Sequence, residues 1–119
     1  MIARASKKDK KYRFGVCYDT SAKSRSALKT VLNIMSPEDE VTIITIKESD
    51  IQLSNVESQV NSICGMYNVS HHKIEILERE STLTPNFEVL KKYLIHEADE
   101  NNYIDFVACG NSGQNLRQF

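Results

Sequence analysis

The chain has 119 residues, 40% hydrophobic and 26% charged, with a net charge of -1. That is enough for one soluble domain with its own core and too little for two. No apolar run approaches the roughly 20 residues that a membrane-spanning helix needs, and the opening residues Met1 to Arg4 lack the apolar core of a secretory signal. The expectation is a cytoplasmic protein with no membrane partner.

Residues 1–12 read as a basic, flexible leader, since Arg4, Lys7, Lys8, Lys10 and Lys11 stand there against Asp9 alone. The leader has no aromatic residue before Tyr12 and no amphipathic period, so a solvated tail is expected rather than a nucleic-acid contact. Residues 13–119 form the domain. Arg13 to Tyr18 reads as a strand, and Asp19-Thr20-Ser21 after it as helix-starting material with Thr20 or Ser21 as the cap. Ala27, Leu28, Val31, Leu32 and Met35 recur at helical spacing until Ser36-Pro37-Glu38-Asp39 turns the chain.

Val41 to Ile46 is rich in β-branched residues and predicts a second strand. Leu53, Val56, Val60, Ile63 and Tyr67 then form one helical stripe. His72 to Arg79 alternates partly and carries charges suited to a sheet edge. Thr84-Pro85 opens a third helix with Phe87, Leu90, Leu94 and Ala98 inward, and Asn101-Asn102 ends it. Tyr103 to Cys109 reads as a buried fourth strand, broken by Gly110-Asn111-Ser112-Gly113. Strands alternating with helices predict an α/β, doubly wound parallel sheet with right-handed crossovers.

Ligands of such sheets bind beyond the carboxyl ends of the strands, where the winding direction switches. Two segments bring suitable groups there. Asp19 can accept from ribose hydroxyls or an adenine amine, and glycines at 110 and 113 let backbone N–H groups approach a phosphate. Each signal is ordinary by itself, because Asp-Thr-Ser is a common cap and G-x-x-G a common turn.

In this order the segments Phe14 to Ser21, Val41 to Ile46 and Ile104 to Gly113 resemble the universal stress protein family, over residues 13 to 119. The resemblance implies strand order 3-2-1-4 in an adenine nucleotide alpha hydrolase-like sheet. It also implies a role in stress response or signalling by binding and self-association. The nucleotide-binding residues would be Asp19, Thr20, Ser21, Ile46 or its neighbour, Cys109, Gly110, Asn111, Ser112 and Gly113. The ligand would be an adenine nucleotide, AMP or ATP, with no metal required.

Nucleotide-binding members of that family continue G-x-x-G into a second phosphate anchor, a last helix and a fifth strand. Here six residues follow Gly113. The expectation is therefore a sheet with its fifth strand missing and a site for a nucleoside or monophosphate rather than a polyphosphate. A bare apolar fourth strand would then favour a homodimer through that exposed edge. The alternative function is a regulatory or protein-interaction domain that keeps the fold without the nucleotide.

No catalytic constellation is legible. Ser21 and Ser24 have no histidine near them in sequence, and neither a P-loop nor G-x-G-x-x-G occurs. His71 and His72 would point to opposite faces of a strand and do not make a metal pair. Cys17 and Cys109 would end neighbouring strands. Together with Cys64 they are expected as buried, reduced thiols.

Overall fold

The computed structural model describes residues 11–49, 51–69, 72–81, 83–109 and 115–118. Residues 1–10 of the expected leader, His71 and the loop from Gly110 to Gly113 lie outside the described residues. The elements run β1 (Arg13–Cys17), α1 (Ala22–Ile34), β2 (Glu40–Ile46), α2 (Leu53–Met66), β3 (His72–Leu77), α3 (Asn86–Asp99), β4 (Phe106–Cys109) and β5 (Asn115–Gln118).

Four strands pair in parallel, as the alternation of strands and helices predicts, and in the order β3-β2-β1-β4 that the resemblance implies. Among the described residues no fifth parallel strand follows. Instead β5 returns antiparallel along β4, pairing Phe106 with Gln118 and Cys109 with Asn115. The expected bare edge at β4 is thereby corrected: short as it is, β5 takes up the backbone groups that β4 would have left open. The other margin is β3, whose Lys73 and Glu75 form an ion pair on that outer strand. Charge at an edge discourages unwanted strand pairing.

Winding direction sets the layers. α1 and α2 follow crossovers that run from β1 toward β3, and they cover one face with a core of Phe14, Val16, Leu28, Val31, Ile43, Val56 and Val60. α3 crosses back to β4 and covers the other face, where Ile44, Leu90, Leu94, Ile104 and Val107 form a smaller core. Each such aliphatic or aromatic side chain contributes about 1.5–3 kcal/mol when buried. Gly15 keeps β1 flush with the α3 side, because a Cβ there would lie 3.2 Å from Ile104 and 3.3 Å from Ile44. The glycine is a matter of space.

Local signals place the helix ends. Ser21 is the N-cap of α1, and its Oγ accepts from the Ser24 N–H at 3.2 Å. Asn68 and Asn101 end α2 and α3 with φ of 57° and 64°. Their successors donate back to the helix, Val69 to the Cys64 carbonyl and Asn102 to the Glu97 carbonyl. This is the left-handed closure that asparagine tolerates better than most residues. Pro85 stands at the N-cap of α3 in extended conformation, one position ahead of the expected one.

Three expectations shift. Tyr12 belongs to the core, 2% exposed, with its ring 5.6 Å from that of Phe106 and 6.4 Å from that of Phe14. Phe87 is 60% exposed, because the first turn of α3 overhangs the small core that Leu90 and Leu94 reach. β4 begins at Phe106 rather than Tyr103, after Asp105 has exchanged hydrogen bonds with the Arg13 backbone. Among the described residues no helix is long and apolar enough to cross a membrane.

Candidate functional site

The carboxyl ends of β2, β1 and β4 lie side by side. Cys17 pairs with Ile44 on one side and Cys109 on the other, and Ile46 ends β2 two positions further on. Asp19, Thr20 and Ser21 follow β1 directly. Of the residues singled out in the sequence, the structure gathers Asp19, Thr20, Ser21, Ile46 and Cys109 at this one end. Gly110, Asn111, Ser112 and Gly113 lie outside the described residues.

The link from β1 to α1 is tightly specified. Tyr18 still pairs as strand, its N–H donating to the Ile44 carbonyl at 2.9 Å. Its carbonyl accepts from the buried Thr45 hydroxyl at 2.9 Å, and its phenol donates to Gln59 at 2.6 Å. Asp19 then turns outward and is exposed, while its Oδ1 accepts from the Ser21 N–H at 3.0 Å. Thr20 takes a φ of 71°, a left-handed conformation costly for a β-branched residue. The Arg25 guanidinium holds this turn by donating to the Thr20 carbonyl at 2.6 Å. Ser24, buried, donates to the Ser21 carbonyl at 3.0 Å and accepts from the Asp19 N–H at 3.3 Å.

These contacts decide the charge state of Asp19. Burial pushes its carboxyl up, but hydrogen bonds from Ser21, Ser24 and its own backbone outweigh that and hold it below the ordinary value. The group is an exposed, ionised acceptor at neutral pH. That suits hydroxyl or amine donors of a ligand.

The third group is sulfur. The Sγ atoms of Cys17 and Cys109 lie 3.4 Å apart across the β1–β4 pairing. Both cysteines are half-buried, whereas Cys64 is fully buried, so the expectation of three buried thiols holds for Cys64 alone. The hydrogen bond with Cys109, then burial, then the negative charge developing on Cys109 and that of Asp19, push the Cys17 thiol up. Cys17 keeps its proton at neutral pH.

Ser24, Arg25, Thr45 and Gln59 shape this end without having been singled out as site residues. Ser21-x-x-Ser24 has the spacing of a capping pair and was open to recognition. The roles of Thr45 and Gln59 depend on strand register and helix packing, for which the sequence has no local signal. Two recesses lined by described residues lie elsewhere. One, of about 280 Å³, opens at the amino ends of the strands among Arg13, Glu40, His72, Lys73 and Glu97. The other, of about 600 Å³, lies between the end of β3 and α3, beside Leu77, Leu83, Val89 and Tyr93. Neither is lined by Asp19, Ile46 or Cys109.

No protein-family model matches the chain. No curated protein matches it either. Among solved structures it is similar to the crystal structure of protein Rv1636 from Mycobacterium tuberculosis H37Rv, with a TM-score of 0.57 and 14% identity. The likeness covers 84% of this chain and 71% of that one. At such identity the likeness shows the α/β fold alone.

Proposed function

We propose that the chain is a universal stress protein-like domain that binds an adenine nucleoside or monophosphate at the carboxyl ends of β2, β1 and β4. It acts by binding rather than by catalysis, in stress response or signalling. The observation that carries this reading is the placement of Asp19. An ionised carboxylate stands exposed at the switch between β1 and β4, where ligands of doubly wound sheets bind. Ile46 offers backbone beside it for an adenine edge, and the chain leaves β4 at Cys109 toward the glycines. Self-association completes the proposal, through the β4–β5 margin of the sheet rather than through the charged β3. The rival, a regulatory domain without the nucleotide, draws on the engagement of the Asp19 carboxylate by its own cap.

Thermal unfolding with adenosine, AMP and magnesium-ATP separates the two. A ligand at about a hundred times its Kd stabilises the folded state by about 2.7 kcal/mol. AMP is expected to raise the Tm at least as much as ATP, and Asp19→Ala to remove most of the rise while the far-UV circular dichroism stays unchanged. No rise with any of the three ligands, or an equal rise in the variant, would favour the rival.

A further inference from the structure

The geometry points to a redox modification site formed by Cys17 and Cys109, a dithiol that a hydroperoxide converts to a disulfide across β1 and β4. Three observations carry it. The two residues are directly paired on adjacent strands, so both side chains leave the same face of the sheet. Neighbouring strands lie about 4.8 Å apart, inside the roughly 4.4–6.8 Å between Cα atoms that a disulfide spans. The sulfurs already stand 3.4 Å from each other, and both residues retain solvent exposure. Closing the bond takes a small rotation of two side chains and no movement of the strands.

One sulfur attacks and the other resolves. Either can be the donor across the 3.4 Å contact, and the one that is deprotonated is the nucleophile. Its electron pair breaks the O–O bond of the hydroperoxide, an alcohol leaves with the proton, and the attacking cysteine becomes a sulfenic acid. The second sulfur then attacks the first, and the hydroxyl departs as water with the second thiol's proton. Two thiols and one hydroperoxide give one disulfide, one alcohol and one water; the thiols lose two electrons and the peroxide gains them. Thiol exchange with a reduced low-molecular-weight thiol reverses the step. The redox step does not rest on nucleotide binding, although Cys109 also borders the proposed nucleotide site.

Treatment of the whole chain with one equivalent of tert-butyl hydroperoxide, followed by intact mass and non-reducing peptide mapping, tests this. The expected product is lighter by two hydrogens, carries a Cys17–Cys109 linkage within one molecule and returns to its starting mass with reductant. Cys64→Ser is expected to behave identically. In Cys17→Ser or Cys109→Ser the reaction stops at a sulfenic acid on the remaining cysteine of the pair, which dimedone captures. A mass that does not change, a linkage through Cys64, a bridge between molecules or conversion to sulfinic acids overturns the site. Absence of a dimedone adduct from both single variants overturns the route through a sulfenic acid. Wild-type protein alone decides the first question should a variant fail to fold.

Discussion

The two ends of the sheet handle their carboxylates in opposite ways. At the amino end Asp39 is 1% exposed, and its two oxygens accept from the N–H groups of Tyr12 at 2.8 Å and Ser36 at 2.9 Å. Asp105 likewise accepts from the Arg13 N–H at 2.9 Å. Around them Arg13 pairs with Glu40, and Lys73 with Glu75 and Glu97. At the carboxyl end Asp19 takes its hydrogen bonds from within its own turn and helix cap and faces solvent, next to a strained Thr20 and a pair of thiols. The number of backbone donors aimed at a carboxylate from distant segments separates a stitch from a receptor. Asp39 ties the chain before β1 to the turn before β2; Asp19 ties nothing beyond its own turn.

The largest effect expected from this contrast is at Asp39. Asp39→Ala leaves two backbone N–H groups without their carboxylate, at a cost of about 2–4 kcal/mol. Urea denaturation checks it, and a midpoint equal to the wild type would erase the distinction between the two ends. A smaller effect of opposite sign is expected at Thr20. Thr20→Gly relieves the left-handed strain and stabilises by about 1 kcal/mol or less, since glycine also gains freedom in the unfolded chain. Loss of stability in that variant would mean that the threonine side chain holds the turn in place.

The smallest effect is the pH dependence of Asp19. Its folded pKa lies below the unfolded one, so its contribution to stability is present in full above about pH 3.9 and is lost as pH falls through the folded value. Exposure keeps that contribution small. The stability gap between wild type and Asp19→Asn is expected to be constant near neutrality and to close in acid. A gap that widens in acid contradicts the hydrogen-bonded, ionised Asp19.

What the sequence disclosed follows the range of the forces involved. The cap at Ser21 and the stop at Asn101 are settled within one turn of chain, and both were legible. Parallel pairing followed from alternation alone, whereas the order 3-2-1-4 came from the family resemblance. β5 was not legible, since residues 115–118 have no alternating apolar set and form a strand by accepting the backbone edge that β4 offers. Tyr12 was hidden among basic neighbours because its partner Phe106 is distant in sequence. Phe87 has the spacing of an inward residue, but spacing says nothing about where the facing core stops. At the candidate site, Asp19 was named from its strand end and Cys109 from the family resemblance. The closeness of the two sulfurs depends on the register of β1 with β4, which no local pattern encodes.

The central place of β1 also bears on how the chain finds this fold. β1 joins β2 across a short stretch, with Arg13 paired to Glu40 at a separation of 27 in sequence, and β4 across 92, from Cys17 to Cys109. Closing the longer loop costs about 1 kcal/mol more in chain entropy. Pairings between distant segments are also the slow ones. The β1-α1-β2-α2-β3 half therefore has the kinetic advantage, and on a ribosome it can assemble before β4 has been synthesised. The β1 edge waits open for its last parallel partner, and the candidate site beside Cys17 and Cys109 is completed only when β4 arrives.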